Sequence, residues 1–85
     1  MTNEESRPAL FLNPHVRQRM AQRGITEAAI NWVLGHYHTR FPAAPQQGVR
    51  PAVILQGTFE GRELRVYVQR GTDPPYVKTV AWKDE

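Results

Sequence analysis

Residues 52–69 read AVILQGTFEGRELRVYVQ, and this stretch decides the fold. Glu60-Gly61 is a two-residue turn signal between two runs rich in Val, Leu and aromatic residues, so the segment is expected to form an antiparallel β-hairpin. A strand presents alternate residues to opposite faces. The run from Arg62 to Gln69 therefore sends Leu64, Val66 and Val68 to one side and Glu63, Arg65, Tyr67 and Gln69 to the other. The first set requires an apolar cover. The second is a polar face open to solvent or to a ligand, as expected of a sheet covered by helices on one side only.

The cover lies upstream. Asn13-Pro14 is a helix start, with asparagine capping the free amides and proline at the first helical position. The helix is expected to run from Pro14 to about Arg23, with Val16 and Met20 facing inward, His15 and Arg19 forming a polar stripe beside them, and Gly24 ending it. Thr26 caps a second helix, in which Ala29, Ile30, Val33 and Leu34 recur at helical spacing and Gly35 is the expected stop. Trp32 falls on the opposite side, where it is either covered by the apolar patch Leu10-Phe11-Leu12 or exposed as a partner site. Tyr37 to Phe41 reads as a short strand, and Pro42 to Gly48 as a loop. The last strand, Tyr76 to Trp82, mixes apolar and polar residues on both faces, so its register stays open. The expected architecture is α+β: two N-terminal helices packed on one face of a curved, three- to four-stranded antiparallel sheet. Residues 1–12 read as a leader with a short apolar patch, 13–83 as a single domain and 84–85 as a tail. The core is expected to be Val16, Met20, Ile30, Val33, Leu34, Leu64, Val66 and Val68.

Composition narrows the function classes. The 85 residues suffice for one domain with a thin core, and the absence of cysteine excludes a disulfide framework or thiolate zinc. No apolar run approaches the ~20 residues that span a bilayer, and the reading is of a cytoplasmic protein with no membrane partner. The net charge of +3 understates the body, because half of the acids sit near the two ends. Between residues 7 and 83, eleven bases less the four acids Glu27, Glu60, Glu63 and Asp73 leave +7. Nine of the eleven bases are arginines, whose planar fork suits phosphate and carboxylate recognition. There is no phosphate-cradling glycine loop, nucleotide fingerprint, paired catalytic carboxylate or nucleophile elbow. His36 and His38 have no third ligand in reach, so no metal site and no cofactor are expected.

The candidate chemistry lies on the polar strand face. If Lys78 shares that face with Arg65 and Tyr67, a cationic cluster with an aromatic ring results, suited to holding a phosphodiester and stacking a base. His15 stands in the first helical turn, where the positive helix end disfavours a further positive charge and a neutral imidazole would serve as a base.

The run His15, Arg19-Met20, Arg23-Gly24-Ile25, Ile30 and Val33-Leu34, continued by Gly61-Arg62, Leu64-Arg65-Val66, Val68 and Thr79-Val80, resembles the bacterial domain-of-unknown-function family numbered 4258. That family looks related to the BrnT and RelE type toxins, in which two N-terminal helices lie against a curved antiparallel sheet and active members cleave RNA on the sheet face. The resemblance implies a toxin-like, metal-independent endoribonuclease with RNA as its substrate. In it, Arg65 and Lys78 would clamp phosphate, Tyr67 would stack or transfer a proton, His15 would act as base, and Arg19 and Arg62 would contact substrate. The other reading is a non-catalytic module whose basic face engages an acidic antitoxin-like or other protein partner.

Overall fold

The computed structural model describes residues 10–44, 47–48, 50–72 and 75–84. The elements follow in the order β1 (Phe11–Leu12), α1 (Pro14–Arg23), α2 (Glu27–His36), β2 (Thr39–Pro42), β3 (Ala52–Phe59), β4 (Arg62–Gln69) and β5 (Tyr76–Trp82). The fold is α+β, with a sheet of five strands in the order β1-β5-β4-β3-β2. It is mixed rather than wholly antiparallel, because β1 pairs in parallel with β5, Phe11 opposite Tyr76 and Leu12 opposite Val77. The patch expected to belong to a leader is therefore part of the sheet; residues 1–9 and Glu85 lie outside the described residues.

The local signals act as their chemistry requires. Asn13 caps α1 by accepting from the Val16 amide, and Gly24 ends it in the left-handed conformation at φ 66°. Thr26 caps α2 through the Ala29 amide. Gly35 does not stop that helix. It continues to His36, whose Nδ1 meets the Trp32 carbonyl at 2.9 Å, and the chain turns extended at Tyr37. The following strand accordingly starts at Thr39 rather than Tyr37. Gly57 on β3 lets this exit pass close by: a Cβ there would stand 3.3 Å from the Tyr37 Cα. Glu60 and Gly61 both adopt positive φ, which a two-residue hairpin turn needs.

In β4 the burial alternates as expected, with Leu64, Val66 and Val68 inward. They join Val16, Met20, Ile25, Ala29, Ile30, Val33 and Leu55 in one core beneath the helices. Leu34 departs from the expectation. It is half-buried and packs against this core from its rim. The ambiguous last strand is resolved by a bulge: Tyr67 pairs with Thr79 and Val68 with Val77, which leaves Lys78 as an extra residue. The insertion reverses the alternation, so Val77 before it and Val80 and Trp82 after it all point into the core.

Helix α1 packs on β5, and α2 on β3 and β4. Beyond the short stretch of β5 that β1 covers, Arg23 Nη1 donates to the Val80 carbonyl (2.6 Å) and Trp82 Nε1 donates to the Arg23 carbonyl (2.7 Å). Trp32 is not covered by the apolar patch, which lies across the sheet on β5. It is 44% exposed, stacks on His36 at 3.7 Å and donates to the Thr58 carbonyl.

Truncation of a fully buried leucine leaves a cavity as well as losing transfer energy. Leu64→Ala should cost about 2–5 kcal/mol. Leu34→Ala, at the rim, should cost clearly less, and urea denaturation of the two variants compares them directly.

Candidate functional site

Pairing across the hairpin sets the residues of the face away from the helices. Arg65 lies opposite Gln56, Tyr67 opposite Ile54, and Glu63 opposite Thr58. Phe41 of β2 joins them opposite Ile54, and Thr79 of β5 opposite Tyr67. Two distinct arrangements occupy this face.

At the end where β3 begins and β4 finishes, an open cleft of ≈ 980 Å³ is formed. Tyr67, Ile54, Ala52, Thr79 and Ala81 contribute sheet positions, α1 contributes His15, Arg19 and Arg23, Arg50 and Arg70 come from the opposite rim, and Lys78 comes from the β5 bulge. Small residues at 52 and 81 leave this region open above the sheet. The Lys78 ammonium lies 3.4 Å from the Arg50 carbonyl, so the bulged residue reaches toward the start of β3. No carboxylate lines the cleft among the described residues.

At the hairpin end lies a closed hydrogen-bond chain. Glu63 is its hub. It accepts from the Thr58 hydroxyl, from Gln56 Nε2 at 3.1 Å and from His38 Nε2 at 2.8 Å. The Gln56 amide carbonyl in turn accepts from Arg65 Nε at 2.8 Å, and the Arg65 guanidinium lies 5.5 Å from the centre of the Phe41 ring. Gln56 is the one buried polar side chain among the described residues, and both ends of its amide are satisfied. Hydrogen bonds from Thr58, then Gln56, then His38 favour the ionised carboxylate and hold Glu63 down from 4.5 to about 2.

The structure thus gathers His15, Arg19, Tyr67 and Lys78 into one cleft. Arg65 shares their sheet face but belongs to the Glu63 chain and not to the cleft wall. Arg62 is separated from all of them. It lies on the core side of β4, stacked 4.1 Å from the Trp82 ring and paired with Asp84 at 3.0 Å. The alternation that points Arg65 outward turns Arg62 the other way. His36 and His38 do not converge: one stacks on Trp32 and the other binds Glu63.

Arg50 and Arg70 were not singled out from the sequence, although a signal was present. Counting outward from the Glu60-Gly61 turn brings Arg70 opposite Pro51 and so beside Arg50, and the Arg70 amide does donate to the Pro51 carbonyl at 3.0 Å. The same count sets Glu63 opposite Thr58 and Arg65 opposite Gln56; only the approach of His38 had no such signal, because that histidine lies outside any strand.

Residues 12–82 match the family model described as Domain of unknown function (DUF4258), and the chain belongs to that family. No curated protein and no solved structure matches it. No helix among the described residues is long and apolar enough to cross a membrane.

A carboxylate lowered on folding contributes stability that is fully present above its unfolded pKa and is lost as pH falls through the folded one. For Glu63 that window runs from 4.5 down to about 2. The Glu63 side-chain carboxyl resonance should therefore titrate with a midpoint near the lower value, and the stability difference between wild type and Glu63→Gln should shrink as pH falls through the window. A midpoint near 4.5 would show that the hydrogen-bond chain does not persist in solution.

Proposed function

We propose that the cleft binds RNA and cleaves it in the manner of a toxin-type, metal-independent endoribonuclease acting in the cytoplasm. The observation that carries this reading is the distribution of counter-charges. Away from the cleft, two arginines have acidic partners, Arg17 with Glu27 at 3.4 Å and Arg62 with Asp84 at 3.0 Å, while Arg65 is bonded to Gln56. Inside it, Arg19, Arg50, Arg70 and Lys78 line one cleft with no described carboxylate. Like charges gathered without compensation favour an anionic ligand, and arginine forks fit phosphate oxygens. The donor set is also wrong for Mg²⁺, which prefers oxygen ligands, carboxylates among them.

In this reading His15 takes the proton of a ribose 2′-hydroxyl, whose oxygen attacks the adjacent phosphorus. The bond from phosphorus to the 5′-oxygen breaks, leaving a 2′,3′-cyclic phosphate and a 5′-hydroxyl. Arg19 and Lys78 stabilise the charge that builds on the non-bridging oxygens. Tyr67 supplies the proton to the leaving oxygen or a ring on which the flanking base stacks. Arg65 extends the cationic face beyond the cleft, whereas Arg62 acts through packing on Trp82. An acidic antitoxin-like protein would neutralise the same surface by covering it.

The test is cleavage of total RNA in EDTA by the purified full chain, with the new termini identified by mass spectrometry and growth followed on induced expression. Wild type should cut and leave cyclic phosphates. His15→Ala should lower the rate by about 10²–10⁴-fold, the usual contribution of general base catalysis. Lys78→Ala should lower it by about ten- to a hundredfold, equivalent to roughly 1–3 kcal/mol, with melting temperatures near that of wild type. RNA left intact by wild type would defeat the enzyme reading. If an acidic protein then bound in a salt-sensitive way that Lys78→Ala weakened, the surface would be a protein-binding one.

A further inference from the structure

We propose that Arg50 and Arg70 form a second phosphate subsite, so that the cleft takes single-stranded RNA across at least two consecutive phosphates. This rests on the RNA reading above and adds to it the form of the substrate.

The placement of the cations across the sheet carries the inference. His15 and Arg19 stand on α1, which packs on β5 at one side of the cleft. Arg50 and Arg70 stand on the other side, just before β3 and just after β4, where the Arg70 amide binds the Pro51 carbonyl and joins the two strand ends. Tyr67, on β4, lies in the floor between the two groups. Cations therefore flank an aromatic ring on both sides. That is the pattern of a backbone groove with a stacking platform, in which one nucleotide lies over the ring and its two phosphates reach opposite walls. A single phosphate would occupy one wall and leave the other uncompensated.

Two further observations agree. Among the described residues, neither the Arg50 nor the Arg70 guanidinium has a hydrogen-bonded or ion-paired partner, so both remain available to a ligand. The cleft's ≈ 980 Å³ lies at the top of the range of roughly 300–1,000 Å³ that encloses small ligands, and its open form suits a chain that continues past it. The ring lies in the cleft floor, where the stacked bases of a duplex would not reach it, and this favours a single strand.

The experiment uses 2′-O-methyl oligonucleotides, which lack the attacking hydroxyl and so report binding without cleavage. Full-length wild type, Arg50→Ala/Arg70→Ala, Arg50→Lys/Arg70→Lys and the off-cleft control Arg17→Ala are titrated with a dinucleotide carrying one internal phosphate, a trinucleotide carrying two, and an octamer in single-stranded and duplex form. Circular dichroism melting establishes that each variant is folded. The double alanine variant should lose about ten- to a hundredfold in affinity for the trinucleotide and single-stranded octamer, and change less than about twofold for the dinucleotide. Its salt slope should flatten by about 0.7, the value for one phosphate contact on a single strand. The lysine pair should recover most of the affinity, and Arg17→Ala should behave as wild type.

Undiminished octamer binding by a folded double alanine variant would overturn the subsite and leave the RNA reading intact. Equal losses for dinucleotide and trinucleotide would also overturn it, by showing one phosphate site rather than two, and preference for the duplex would overturn the single-strand assignment. Tight binding of the octamer by a wild type that never cuts RNA would support the subsite while removing the nuclease. Failure of wild type to bind any oligonucleotide at low salt, with polyglutamate bound instead, would overturn both in favour of an acidic protein ligand.

Discussion

The whole structure depends on the pairing of β4 with its two neighbours, which fixes the face of each candidate side chain on the sheet. Leu64 and Val66 are completely buried, and a slip of one residue would exchange them for Arg65 and Tyr67. Burying that polar pair beneath two short helices would cost far more than a domain of this size has to spare. The hydrophobic demand of α1 and α2 thus determines the chemistry of the opposite surface. The bulge at Lys78 completes this control: it keeps Val77, Val80 and Trp82 in the core while releasing one cation from the strict alternation.

The second determinant is the position of α1 on β5. Because β1 pairs with β5 only at Phe11–Leu12, most of that strand's outer edge would expose unpaired backbone groups. Helix α1 covers it, and Arg23 satisfies the Val80 carbonyl there. The protection has a consequence for the site. A helix carrying His15 and Arg19 at four-residue spacing stands beside the sheet and raises one wall of the cleft. The same residues on a helix centred over the core face would be remote from Tyr67. Edge protection and wall building are therefore one structural solution.

What the sequence made legible follows from how local the governing interactions are. Helix caps at Asn13, Gly24 and Thr26 depend on a few neighbouring amides, and the hairpin on two turn residues and period-two alternation, so these were readable directly. The fifth strand was not, because two residues, Phe11 and Leu12, have no periodicity and their pairing partner lies more than sixty positions away. The register of β5 was unreadable for a related reason: a bulge breaks the only pattern from which a face could be read. In the candidate site, His15, Arg19, Tyr67 and Lys78 were anticipated as chemistry-bearing residues, and Arg65 was placed on the correct face. Its hydrogen bond to Gln56 and the stacking of Arg62 on Trp82 are cross-strand contacts, although alternation alone already places Arg62 on the side of Leu64. Arg50 and Arg70 lie at strand ends, where alternation no longer says which way a long side chain turns.

The two halves of the outer face differ in how their charges are settled, and this difference separates structure from function. Around Glu63 the donors meet an acid: Thr58, Gln56 and His38 converge on the carboxylate, and Arg65 Nε joins the chain through Gln56. Such a network sets an ionised carboxylate among its donors. Around Tyr67 the cations Arg19, Arg50, Arg70 and Lys78 come from three separate parts of the chain, α1, the β3 and β4 ends and the β5 bulge, and meet no carboxylate in the wall among the described residues. Their mutual repulsion opposes folding and is relieved only by counterions or a ligand. Arg17 and Arg62, by contrast, have acidic partners outside the cleft. The completed network fixes the hairpin end of the sheet as a frame, and the uncompensated cleft beside it is the part of the face left to bind.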